Sequence, residues 1–143
     1  MNVRSILATK GHEVVTTSPE RSVLDAARTL VEHDIGALVV TEAGVLLGIL
    51  SERDVLRLTA RSPGALASVR VEDAMTKDVV VAEEADTVEL AMDLMTRHRV
   101  RHLPIVREGR LRGIVSIGDV VNAVRTQAEV ENQQLRDYIG GVA

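Results

Sequence analysis

HDIGALVVTEAGVLLGILSERDVL (His33–Leu56) and HRVRHLPIVREGRLRGIVSIGDVV (His98–Val121) align without a gap at an offset of 65 residues. Identities fall at His33/His98, Leu38/Leu103, Gly44/Gly109, Gly48/Gly113, Ile49/Ile114, Ser51/Ser116 and Asp54/Asp119. The register reaches back to Val14-Val15 and Val79-Val80. Matches clustered on Gly, Ser and Asp, residues with narrow backbone roles, identify an internal duplication.

Each copy carries the same local signals. A β-rich piece comes first, EVVTT or DVVVA. A helix follows, because Val23, Ala26, Ala27 and Leu30 recur at helical spacing, as do Val88, Ala91, Met92 and Met95. Ser22 and Thr87 stand at the N-cap positions of these helices. Two apolar strands come next, GALVVT with LLGIL and HLPIV with LRGIV, joined by turns holding Gly44 and Gly109. A second helix starts near Ser51 or Ser116. The expected fold class is therefore α+β: two tandem β-α-β-β-α repeats and a C-terminal helix. The expected organisation is repeat 1 over residues 1–62, a linker loop with Pro63 and Gly64 over 63–70, repeat 2 over 71–127 and a helical tail over 128–143. Val121, Val124, Ala128, Leu135 and Ile139 give that tail an apolar set, which would meet either a partner subunit or its own module.

Composition narrows the function classes. The chain of 143 residues is 45% hydrophobic and carries a net charge of −4. That balance opposes bulk attraction to nucleic acid or an anionic membrane. There is no cysteine, so disulfides and thiolate metal sites are excluded. The first residues, MNVRSILATKGHE, turn polar too soon for a signal peptide, and IGALVVTEAGVLLGIL is too short to span a bilayer. A cytoplasmic protein is expected. No phosphate loop of the Walker kind occurs, and no base adjoins the Ser-Asp pair to make a nucleophile. The chain reads as a non-enzyme without a metal site.

The motif with chemical potential is Gly-Ile-x-Ser-x-x-Asp, GILSERD (Gly48–Asp54) and GIVSIGD (Gly113–Asp119), at a strand-to-helix turn. A carboxylate there can accept from two neighbouring hydroxyls, as a ribose diol offers. The serine and the free N–H groups of the helix start can hold a phosphate. Ser-x-x-Asp is also close to a capping box, which satisfies only the backbone. The segment Arg97–His102 is the most basic stretch, read as a solvated helix end at Arg97 and Arg99 and as a phosphate contact at Arg101.

The duplicated unit, with GILSERD, GIVSIGD and RHRVRHLPIV, resembles a cystathionine-β-synthase-type (CBS) domain pair, or Bateman module, over about residues 3–124. The resemblance implies two repeats around a pseudo-two-fold axis, enclosing clefts for AMP, ADP, ATP, NAD or S-adenosylmethionine, and pairing of modules into a homodimer. It assigns Asp54 and Asp119 to ribose hydroxyls, and Ser51 and Ser116 to ribose or phosphate. It assigns Arg101 to phosphate, and His102, Leu103 and Pro104 to the lining of the same cleft. Ile35, Gly36 and Ala37 are the first-copy counterparts of Val100, Arg101 and His102, while Thr17 and Val81 would flank the base. Because Gly36 and Ala37 replace Arg101 and His102, the clefts should be unequal. The Asp119 cleft is expected to prefer a charged nucleotide, and Arg53 is expected to stand in partly for the missing cation at Asp54. The expected role is a regulatory sensor reporting to an effector protein. The alternatives are a structural dimerisation module with non-binding clefts, or a nucleic-acid binder acting through residues 97–102.

Overall fold

The computed structural model describes residues 1–142. The elements, in order, are α1 (Val3–Lys10), β1 (Thr16–Thr17), α2 (Val23–His33), β2 (Ala37–Glu42), β3 (Val45–Ser51) and α3 (Glu52–Arg61). The second copy adds α4 (Val71–Ala74), α5 (Val88–His98), β4 (His102–Arg107), β5 (Arg110–Ser116) and α6 (Ile117–Val142). The fold is the mixed α+β repeat pair that the duplication implies.

The local chemistry matches the residues that suggested it. Ser22 and Thr87 cap α2 and α5 by accepting from the N–H groups of Asp25 and Leu90. The β2–β3 and β4–β5 hairpins turn through Ala43-Gly44 and Glu108-Gly109, all four with positive φ. Two successive positive φ values give the turn twist that matches a right-handed hairpin.

The β-rich lead-in segments pair less than their composition suggests. Only Thr16 and Thr17 form a strand, parallel to β2, and in copy two pairing shrinks to a single bridge between Ala82 and Ile105. Val79 and Val80 instead face a cavity.

The strands form one sheet in the order β1-β2-β3-β5-β4. β3 and β5 join the two copies only at Val45 and Arg110. Two matched backbone bonds seal that joint, from Leu46 N–H to Gly109 O and from Leu111 N–H to Gly44 O, each 3.1 Å.

Each copy has its own core, and each core is completed by a helix from across the sequence. Val3, Ile6 and Leu7 of α1 pack with Val88, Ala91, Met95, Leu103, Ile105 and Val115 of copy two. Val71 of α4 packs with Ala26, Leu30, Leu38, Val40 and Leu50 of copy one. The close fit rests on two glycines. A Cβ at Gly48 would lie 2.6 Å from Met75 Sδ and 2.9 Å from the Thr76 carbonyl, and one at Gly113 would lie 2.8 Å from Leu7 Cδ2.

α6 begins in the second core through Val120 and Ala123, then leaves it. From Ala128 to Gly140 every residue is exposed, so the tail does not fold back on its own module. Leu135, Tyr138 and Ile139 are 58%, 71% and 60% exposed.

Candidate functional site

The cavity between the copies has a volume of about 350 Å³. Copy one contributes Gly36 and Ala37 at the start of β2, Ile49 and Ser51 at the end of β3, and Glu52 and Arg53 of α3. Copy two contributes Thr76, Asp78, Val79 and Val80 of its lead-in, and Arg99 to His102 between α5 and β4. Ligand pockets commonly span about 300–1,000 Å³, so this one suits a nucleotide-sized molecule. Its apolar lining is aliphatic: Ile49, Val79, Val80 and Val100. Its charged groups are Arg53, Arg99 and Arg101 against Glu52 and Asp78. Burial, with the charges of Lys10 and Arg101, holds the His102 imidazole below its ordinary pKa against the opposing pull of Glu52 and Asp119, so it is neutral at pH 7. The lining is then net positive by one charge.

The Ser-x-x-Asp motif acts as a reciprocal helix cap in both copies. Ser51 N–H and Oγ donate to Asp54 Oδ2 at 2.9 and 3.1 Å, while Asp54 N–H donates to Ser51 Oγ at 3.3 Å. Asp119 Oδ2 accepts from Ser116 N–H at 2.8 Å, and Asp119 N–H donates to Ser116 Oγ at 3.1 Å. The capping-box interpretation is therefore realised. Asp54 Oδ1 keeps two longer contacts, with Thr76 Oγ1 and Arg57, both at 3.5 Å.

The two carboxylates differ in their cations. Lys10 Nζ, at the end of α1, lies 2.6 Å from Asp119 Oδ2 and donates to the Ile114 carbonyl at 3.0 Å. Burial alone would raise the Asp119 pKa, but the Lys10 ammonium and the Ser116 bonds outweigh it and hold the carboxyl below the usual range. A group with a depressed folded pKa adds stability above its unfolded value and loses it as pH falls through the folded one. Lys10→Met should thus be less stable than the parent at pH 7. The gap should close as the pH falls below the ordinary Asp value of 3.8. Melting temperatures of the two proteins from pH 7 to pH 2.5 test this; a constant gap would mean that the ion pair is not its source.

Among the residues expected to bind ligand, Gly36, Ala37, Ser51, Arg53, Arg101 and His102 meet at the cavity. Asp54 is buried just behind it, bonded to Ser51 and Thr76 of its wall. Arg101 and His102 thus face Ser51 and Arg53. The expectation that they serve an Asp119 cleft, and make it the one for charged nucleotides, is corrected: the cations gather on the copy-one side. Leu103 is corrected as well. It is fully buried in the copy-two core, and Pro104 beside it is also buried, so neither lines the cavity. Ile35 packs against the copy-one core, and Thr17 is buried in β1. Val81, Ser116 and Asp119 also stand outside the lining.

Arg99, expected with Arg97 at a solvated helix end, is exposed and also lines the cavity. It occupies the left-handed C-cap of α5, φ 55°, where the chain reverses toward the cavity. Arg97, by contrast, is held by Asp93 at 2.7 Å. The basic stretch 97–102 therefore splits between a helix flank and a cleft and does not form one surface.

Geometry defines the class: a duplicated α+β module whose halves enclose a nucleotide-sized, cation-lined cavity. A family model for the CBS domain matches residues 3–61 and again 71–126. The chain belongs to the CBS-domain family as a tandem pair. It is 40% identical over 126 residues to the mitochondrial CBS domain-containing protein CBSX3 of Arabidopsis thaliana, covering 84% of this chain and 61% of that one. It is 38% identical over 117 residues to the CBS domain-containing protein YhcV of Bacillus subtilis, covering 81% and 82%. Among solved structures, the CBS-domain protein ATU1752 of Agrobacterium tumefaciens matches with TM-score 0.81 and 47% identity, covering 86% of this chain and 98% of that one. The CBS domain pair of protein MJ0100, solved with 5-methylthioadenosine and S-adenosyl-L-methionine, matches with TM-score 0.78 and 25% identity, covering 89% and 98%. Among the described residues no helix is long and apolar enough to cross a membrane.

Proposed function

We propose that this chain is a regulatory module that binds an adenosine-containing ligand in the cavity between its repeats and reports it to another protein. The observation that carries this is the convergence of Arg53, Arg99 and Arg101 on an aliphatic cleft of about 350 Å³. Adenine rests between Ile49, Val79, Val80 and Val100, since the lining offers no aromatic ring for stacking. The ribose lies toward Ser51, Thr76 and Asp54. The phosphates meet the guanidinium groups, which suit planar, charge-assisted bonding. Binding of adenosyl compounds by the MJ0100 pair supports the ligand class. The arginines favour AMP, ADP, ATP or NAD over S-adenosylmethionine in this chain.

The ligand bridges groups from both repeats, so it stabilises one relative orientation of the two and shifts the population toward it. The strands of the two repeats pair directly only at Val45 and Arg110. The exposed Leu135, Tyr138 and Ile139 of α6 support pairing with a second copy. A purely structural module does not account for the gathered cations, and nucleic-acid binding is disfavoured by the division of the basic stretch.

A thermal-shift assay on nucleotide-stripped protein tests the reading, with AMP, ADP, ATP, NAD and S-adenosylmethionine against guanosine nucleotides. Ligand at about 100 times its dissociation constant adds roughly 2.7 kcal/mol. At about 2–4 °C per kcal/mol for a chain of this size, the melting temperature rises by roughly 5–10 °C. No shift with any adenosyl compound, or equal shifts with GMP and AMP, would sink it.

A further inference from the structure

The two copies differ in length in the segments that follow their first helices. Leu7 over Gly113 and Met75 over Gly48 are equivalent contacts. So are the bonds from Val3 N–H to Asp86 O and from Val71 N–H to Arg21 O. From these matched points, Leu7 is seven residues before Val14, whereas Met75 is only four before Val79. The longer spacing goes with a longer first helix: α1 has eight residues and α4 has four.

The longer helix changes what reaches the cleft. On the copy-one side, Thr76 of the copy-two lead-in runs alongside β3; its N–H donates to the Ile49 carbonyl at 2.9 Å and its hydroxyl to Asp54. In copy two, the equivalent carbonyl, Ile114 O, accepts from the Lys10 ammonium, which also contacts Asp119. One lysine side chain thus takes both partners that Thr76 takes in copy one. It adds a full charge at the carboxylate, where the nearest cation in copy one is the looser Arg57 at 3.5 Å.

We infer that Lys10 is a built-in occupant of the copy-two cleft, holding Asp119 so that the chain binds one adenosyl ligand, on the copy-one side. This rests on the ligand-binding reading above. The ammonium sits on Oδ2, the oxygen that also accepts from Ser116 N–H, so a ribose hydroxyl reaching Asp119 would compete with this charge for the carboxylate. Lys10→Met removes the charge while keeping the length of the side chain. Lys10 is therefore a specificity residue that sets stoichiometry.

Equilibrium dialysis with radiolabelled AMP, ATP and S-adenosylmethionine, on the parent and Lys10→Met, decides the matter. The expected result is one site per chain in the parent and two in Lys10→Met, with the second removed by adding Asp119→Ala. Two sites in the parent, or one in both proteins, would overturn the Lys10 assignment and leave the ligand-binding reading standing. A site in Lys10→Met with none in the parent would support Lys10 and overturn the copy-one assignment. No binding of any probe to either protein would overturn both.

Discussion

Leu103→Ala lowers the unfolding free energy by about 3 kcal/mol, within the usual range for a buried leucine, and the melting temperature by roughly 10 °C. The expectation follows from position. Leu103 has no exposed surface and packs among Val88, Ala91, Met95, Ile105 and Val115, with α1 closing over the cluster through Leu7. Removing three carbons there loses their transfer energy and leaves a void that surrounding backbone cannot collapse to fill. The measurement is chemical or thermal unfolding, with ligand titration of the folded variant as its partner. At temperatures where the variant stays folded, its ligand affinity remains within about threefold of the parent. A stable Leu103→Ala that has lost binding would return Leu103 to the cleft.

The double variant Arg53→Ala/Arg101→Ala does the reverse. It keeps the fold, since both side chains are exposed, and weakens AMP binding about a hundredfold. Each guanidinium contact to a phosphate is taken as about 1.5 kcal/mol, the low end for a hydrogen bond to a charged group. Two such contacts make about 3 kcal/mol, or roughly two decades in affinity. Adenosine, which lacks the phosphate, should lose less than about threefold. Calorimetric titration of both ligands at two salt concentrations gives the answer, because the phosphate part alone is screened by salt. Equal losses for AMP and adenosine would show that these arginines shape the cleft without reading phosphate.

The residues differ in how openly they declared these roles. The duplication was legible because its identities recur at one constant offset of 65 residues, and the N-caps at Ser22 and Thr87 and the hairpin turns at Gly44 and Gly109 because each depends on neighbours within a few positions. The place of Leu103 was not. In a sheet covered on both faces, alternation disappears: Leu103, Pro104 and Ile105 are all buried, as are Leu38, Val39 and Val40. Arg99 was hidden for another reason. It follows the helix in sequence and stays exposed, but from its left-handed C-cap position it also lines the cavity. Ser51 and Asp54 showed two meanings at once, and the cap is the one the geometry builds. Lys10 lies 109 residues from its partner. Its only trace in the sequence is a difference in spacing between the copies, visible once both are anchored on equivalent helix contacts.

The exchanged helices have a consequence for how this protein can be handled and for how it can have changed over time. A break in the linker around Pro63 would leave a first fragment carrying α1 without the core that α1 completes. The second fragment would have an uncovered Gly113 where Leu7 belongs, and the first an uncovered Gly48 where Met75 belongs. What began as two copies is now a single indivisible article. Each repeat's core closes with a helix carried by the other half of the sequence, and neither core is whole without both.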